Sequence, residues 1–555
     1  MIRDRMMTSA VMVVFLAVSV AEGSLRDSMK LVPESANAFV IVENLKQASN
    51  EIEQCMERME KSELLVGGRP IDMLKAAVGF SSGINENGSL ILYISNLDDG
   101  GIPYTILVPV KSAEEFIQAN LDAVEQPGAN RYMMKNGELV DIHELEGHVA
   151  VMSPGTTFVQ PGDGIMGRID ALGSAVDGIL EDADCMLWID DTGMRELASD
   201  EDGRNMADLL DSMLIGVRLD PLGMGMRCLA SMNKNSPYAE LARGGSSTRP
   251  ALLDRLPAKP FYFAMSMDMD GMGGIEPFKA MLEMSGLNLD EGVGNLVNQV
   301  DRIRTVQLGV YPSKLGIATG GLLNDASLVL GSDDSTETIS RLRSQIEGAA
   351  GTRDGIKWET KWAENRQLRD GTIADAFLIK ESYIPPDQMP DGFKRNPGFD
   401  KMIRTMMTGS RGTKGLVKAV GNEVVITFSQ RPDVLNAAVA AAGGGENLAQ
   451  YGVIKAMSSW LIDDPDMTIF IDIGQIGKLV NQVSSMIPGL GDSMFKMPPG
   501  LEPVGMAMDI DGGAMRFSMV LPSSILGLIL DQAMTGGDFQ DMFRGMGFPE
   551  QRSPG

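Results

Sequence analysis

Short apolar runs, each closed by an acidic residue, recur along this chain, and each is followed by apolar residues spaced three or four apart. The first pattern predicts strands and the second amphipathic helices. Ala38-Phe39-Val40-Ile41-Val42 reads as a strand stopping at Glu43-Asn44, after which Leu45, Ala48, Ile52, Met56 and Met59 share one helical stripe. A strand pair follows, Ser89–Ser95 and Pro103–Val110, split by Asp98-Asp99-Gly100-Gly101. The pattern returns at Met186–Asp190, with a predicted helix carrying Met206, Leu209, Leu210 and Met213. It returns at Phe261–Met267, closed by Asp268, with helical spacing at Ile275, Phe278 and Leu282, then at Val293, Leu296 and Val300. The last copy is Met467–Ile471, closed by Asp472, with Ile476, Leu479, Val480, Val483 and Ile487 behind it.

The second and fourth copies agree in detail. Trp188-Ile189-Asp190 matches Phe470-Ile471-Asp472, and the stretch from Asp220 to Arg227 matches that from Asp509 to Arg516. Two matches in the same order imply internal duplication. Between the copies, Asn136-Gly137 is a two-residue hairpin signal, and Ser112-Ala113-Glu114-Glu115 opens a helix as a capping box. Ser335–Glu347 and Val434–Ala442 read as helices; Lys357–Ala363, Thr372–Lys380 and Glu423–Phe428 read as strands. The stretch Asn233–Pro250 has a linker composition. The reading is therefore α+β: tandem pseudo-repeats of strand–helix–hairpin units, in mostly antiparallel sheets with helices packed on one face. It divides the chain at Arg249 into two halves, Ser24–Arg249 and Pro250–Gly555, the second ending in a polar tail.

The opening Leu31-Val32-Pro33, running through a strand to Glu43-Asn44-Leu45, resembles the start of a family of uncharacterised bacterial exported proteins. In that family a Leu/Val-Pro motif precedes a strand, an acid and a helix. Leu256-Pro257-Ala258-Lys259-Pro260-Phe261 looks like a second such start. The resemblance implies export and an α+β repeat, and it carries no catalytic residues.

Residues 1–23 have the layout of a secretory signal peptide: Arg3 and Arg5, an apolar run from Met6 to Val20, then small residues suited to cleavage. An uncleaved anchor is the alternative, since the run is near the lower limit for a span. The expected location is periplasmic or extracellular. The net charge of −27 is unaffected by cleavage, because the leader holds two basic and two acidic residues. Such a surface disfavours nucleic acid and anionic lipid as partners. Three cysteines do not make a disulfide framework; Cys185 and Cys228 lie in two predicted strands and pair only if those strands are neighbours.

Chemical signatures are sparse. His143 and His148 flank a predicted turn at Glu146-Gly147, and the spacing is not that of a metalloprotease helix. Ser231-x-x-Lys234 and Ser493-x-x-Lys496 lack the companion motifs of Ser/Lys acyl-transfer enzymes. Gly474-Gln475-Ile476-Gly477-Lys478 lacks the geometry of a phosphate loop, and Gly443-Gly444-Gly445 reads as a helix stop. Asp268-x-Asp270-Gly271 and Asp509-x-Asp511-Gly512 begin as calcium loops do but lack the remaining ligands. The 41 methionines include Met224/Met226, Met265/Met267/Met269 and Met506/Met508, pairs that share one face of a strand and suit core filling better than copper binding. No catalytic, cofactor or metal residue is assigned. The leading expectation is an exported, non-catalytic binding or structural module. The alternatives are a carrier holding an apolar ligand in a Met-rich groove, and a hydrolase working through paired carboxylates.

Overall fold

The computed structural model describes residues 25–236, 252–272, 303–383, 406–484 and 498–534, apart from short stretches within those ranges. The leader, the 237–251 linker, the helical spacing at 273–302, Ile487, Ser493–Lys496 and the C-terminal tail lie outside the described residues. The chain divides into two compact units, Met1–Ala242 with Asp511–Gly555, and Arg243–Ile510.

In the first unit the strands are β1 (Ala36–Val42), β2 (Leu90–Ser95), β3 (Tyr104–Pro109), β4 (Leu121–Ala123), β5 (Arg131–Met134), β6 (Leu139–Leu145), β7 (His148–Met152), β8 (Cys185–Asp190), β9 (Leu210–Asp220) and β10 (Gly223–Met232). In the second they are β11 (Phe263–Asp268), β12 (Ile303–Val310), β13 (Ser327–Ser332), β14 (Gly351–Arg353), β15 (Ile356–Gln367), β16 (Ile373–Tyr383), β17 (Thr413–Val420), β18 (Glu423–Thr427), β19 (Met467–Ile471) and β20 (Val504–Asp511). The last strand, β21 (Ala514–Pro522), belongs to the first unit. Every described pairing within the units is antiparallel. The first unit runs β4-β5-β6-β7-β3-β2-β1-β8-β9-β10-β21. The second runs β14-β15-β16-β17-β18-β13-β12-β11-β19-β20.

The first sheet is covered on both faces, which corrects the expectation of helices on one face. Val40 and Val42 point into a core with Leu45, Ala48 and Ile52 of the Leu45–Arg58 helix, Ile71, Leu74 and Phe116. Phe39 and Ile41 point the other way, onto Leu25, Met29, Ile169, Val176 and Ile179 from three short helices. A strand buried on both sides is a continuous apolar run rather than an alternation, as Phe39-Val40-Ile41-Val42 is. In the second unit the Ser335–Gly348 helix packs Ile339, Leu342 and Ile346 against Phe377, Val417, Val424 and Ile426. The Pro432–Ala442 helix packs against β17 and β18, where the alternate residues Leu416 and Val425 are also buried.

Three other expectations change. The helix predicted from Leu209, Leu210 and Met213 stops where β9 begins, because positions 210–220 pair with β8 on one side and β10 on the other. The spacing of those residues fits both periods, and two ladders of hydrogen bonds decide it. Residues 511–534 group with the first unit rather than with the second half. There β21 pairs with β10 from Gly223↔Pro522 to Ser231↔Ala514, and Lys61 holds Asp531 of the Ser523–Met534 helix at 2.5 Å. The turns also make Asp511, rather than Asp509, the counterpart of Asp220, since β9 ends at Asp220 and β20 at Asp511, two residues from the match drawn on sequence.

The local signals hold. Ser112 Oγ accepts from Glu115 N at 3.3 Å as the capping box requires, and Gly137, at φ 86°, turns between β5 and β6. Gly443 and Gly444 end the helix before them.

Candidate functional site

The recurring acid after a strand has two separate jobs. After β8 and β19 it starts a helix. Asp190 Oδ1 accepts from Gly193 N at 2.8 Å, and Asp472 Oδ1 accepts from Gln475 N at 2.8 Å. The other oxygen of Asp190 takes Arg168 Nη2 at 2.7 Å and Asn37 Nδ2 at 3.1 Å, and the Arg168 guanidinium lies 4.5 Å from the Trp188 ring centroid. After β1 and β11 the acids Glu43 and Asp268 are buried, as Asp190 is, and Asn44, not Glu43, caps the helix that follows β1.

Those two buried acids each meet a second carboxyl that immediately precedes β8 or β19. Glu43 N donates to Asp184 O at 3.2 Å, and Asp268 N donates to Asp466 O at 2.7 Å. Asp184 Oδ2 accepts from Leu219 N at 3.0 Å, near the end of β9; Asp466 Oδ2 accepts from Ile510 N at 3.1 Å, near the end of β20. The same carboxyl–backbone arrangement therefore stands in each unit. Glu43, Asp184, Asp268, Asp466 and Asp509 are all at most 5% exposed. Asp184 Oδ1 has no hydrogen-bond partner among the described residues.

Burial without a matching cation disfavours the charged form. It pushes Asp184 up to about 8, helped by the carboxylates of Glu51 and Glu43 and opposed by the Leu219 amide and Arg218. Burial likewise raises Glu43 to about 7, with Asp27 adding to it. Asp466 rises to about 7, first through burial and then through the charges of Asp509 and Asp268, against the Ile510 amide. Both clusters can hold a proton near neutral pH. They tie strand ends together from within the core, and at such exposure a bulky substrate does not reach them.

The residues singled out on sequence do not converge. His143 stacks on Phe158 with ring centroids 4.2 Å apart, whereas His148 Nε2 meets Ser89 O at 3.3 Å and burial lowers its pKa. No group of three or more His, Cys, Asp or Glu suited to a metal occurs among the described residues. Cys185 and Cys228 are free thiols, and β9 lies between their strands, its Val217 opposite Cys185 and its Ile215 opposite Cys228. Strands about 4.8 Å apart, with the two-residue offset along β9, put the two cysteines more than about 10 Å apart, beyond disulfide reach. Asp268 Oδ1 accepts from Asp270 N at 3.1 Å and Asp270 pairs with Arg304 at 2.6 Å, so this segment is a bonded turn. Met267, Met467 and Met508 are register partners across β11, β19 and β20 and are buried, so they fill the core in a row. Sequence reasoning missed Asp184 and Asp466. Their signal was an acid directly before an apolar run, rather than after one.

No family model matches the chain, and no curated protein does. Among solved structures it is similar to three crystal forms of TP0453. Form IV is 8% identical, covering 51% of this chain and 96% of that one, with a TM-score of 0.24. Form III is 9% identical, covering 51% and 98%, with a TM-score of 0.23. Form I is 10% identical, covering 38% and 79%, with a TM-score of 0.21. Scores at this level carry no argument about fold or function.

Proposed function

We propose that this protein is an exported, non-catalytic binding or structural module built by internal duplication. The observation that carries the reading is the use made of its buried acids. Asp184 and Asp466 each bond a strand-end amide inside a closed core, and the two histidines are engaged separately, on Phe158 and Ser89. Duplication draws support from the strand orders: β7-β3-β2-β1-β8-β9 and β18-β13-β12-β11-β19-β20 have the same connections. Export rests on the leader-like residues 1–23. Osmotic-shock fractionation of a bacterium expressing the full chain, with intact mass of the recovered protein, tests it. The expected result is a periplasmic species shortened by about two dozen residues, in line with the leader's layout. A full-length cytoplasmic product overturns the export reading, and co-purified lipid in native mass spectrometry favours the carrier instead.

A further inference from the structure

Beyond the buried acids, the second unit holds a cluster of opposite character. Lys259 is half-buried, its Nζ 3.9 Å from the ring centroid of Tyr311. That ring is itself buried, its hydroxyl donating to Pro257 O at 3.3 Å. Arg431, Lys314, Asp325 and Asp433 all act on the charge of Lys259, so that with Lys259 itself the cluster sets three cations against two carboxylates. Both carboxylates are already committed. Asp325 Oδ1 accepts from Asn324 Nδ2 at 2.8 Å and its Oδ2 meets Arg431 Nη1 at 3.4 Å. Asp433 holds Arg431 through both oxygens, with Nε to Oδ1 at 3.1 Å.

Lys259, like Lys314, is left over. Among the described residues no carboxylate lies within 4.0 Å of the Lys259 amine. Lys75 and Lys61, by contrast, each have one at 2.5 Å. A partly desolvated ammonium normally finds a counter-charge, and the tyrosine face supplies only part of one. Burial lowers the Lys259 pKa, Arg431 and Lys314 lower it further, and Asp325 and Asp433 oppose them. Arg431 also stands just before the Pro432–Ala442 helix and gives it no capping acceptor, so the positive end of that helix adds to the field.

We propose that Lys259, with Arg431 and Lys314, binds a small oxyanion, a phosphate or carboxylate group of a ligand. The ion sits beside the Lys259 ammonium over the edge of Tyr311 and supplies the charge that Asp325 and Asp433 have given to Arg431. Recognition is by charge and hydrogen bonding; no bond is made or broken.

The full chain, reductively methylated with labelled formaldehyde so that each lysine keeps its charge, gives one NMR signal per amine. The Lys259 signal is assigned by its loss in Lys259→Arg. Titration with inorganic phosphate at constant ionic strength, and in parallel with acetate, is expected to give a saturable shift of that signal and a raised Lys259 pKa. Whichever anion saturates at lower concentration identifies the group recognised. Lys259→Gln is expected to weaken phosphate binding about tenfold, followed as phosphate-dependent thermal stabilisation, while Lys259→Arg retains it. A shift that sodium chloride reproduces, or one linear in every salt, overturns the proposal even if Lys259→Gln does not fold. Equal phosphate stabilisation in the wild type and a folded Lys259→Gln variant overturns it too.

Discussion

Replacing Asp184 by Asn removes a titrating proton from the core of the first unit while keeping the shape and the acceptor that Leu219 N uses. Burial raises this carboxyl from 3.8 in the unfolded chain to about 8 in the folded one. A group whose folded pKa is raised contributes stability that is complete below the unfolded value and is lost as pH rises through the folded value. Between roughly pH 4 and 8 the folded wild type therefore holds a proton that the unfolded chain releases, and stability falls across that window. At about 1.4 kcal/mol per unit the full shift is on the order of 6 kcal/mol. The assay is urea unfolding at pH 5, 6.5 and 8, read by the fluorescence of Trp188, which is buried in the same unit. The wild-type midpoint is expected to fall steadily with pH. That of Asp184→Asn should fall less and exceed the wild type at pH 8 by several kcal/mol in derived stability. A wild-type midpoint that does not move between pH 5 and 8, or a variant with the wild-type slope, refutes the reasoning.

Asp466→Asn should act alike in the second unit over a narrower window, closing near pH 7, read by the tryptophans at 358, 362 and 460. Asp190→Ala removes a helix cap together with the anchor for Arg168 and Asn37, and chemical denaturation should show a loss of about 1–3 kcal/mol. At Gly415 an added Cβ would stand 2.0 Å from Thr427 O and 2.5 Å from the Phe377 ring. Gly415→Ala should therefore cost at least about 2 kcal/mol; an unchanged melting temperature would contradict that packing. Thiol titration in denaturant without reductant should count all three cysteines as free, and a count of one would mean a disulfide.

How far the site could be read in advance follows from the range of the interactions involved. The capping box at Ser112, the turn at Gly137 and the helix stop at Gly443 involve residues a few positions apart, and the sequence carries the whole of each signal. The acid after β8 is also local, since Asp190 caps the helix that follows it. Asp184 is different. Its partner amide is 35 positions away on β9, and its neighbour Glu43 stands just past the end of β1. The Lys259 cluster gathers side chains from residues 259, 311, 325 and 431, and no spacing rule reaches across such gaps.

By itself the sequence determined the alternation of strand and helix, the antiparallel α+β class, the helix signals at Ser112 and Gly443, and the acidic balance of the chain. Each follows from side-chain size, backbone preference or charge acting over a turn or two of chain. Only the tertiary structure decided that the first sheet is buried on both faces, that β9 is a strand, that residues 511–534 join the first unit, and that β9 separates Cys185 from Cys228. Those outcomes depend on which strand lies beside which. Hydrogen-bond ladders and apolar burial between distant segments settle that, and a local pattern of polar and apolar residues leaves several pairings equally open.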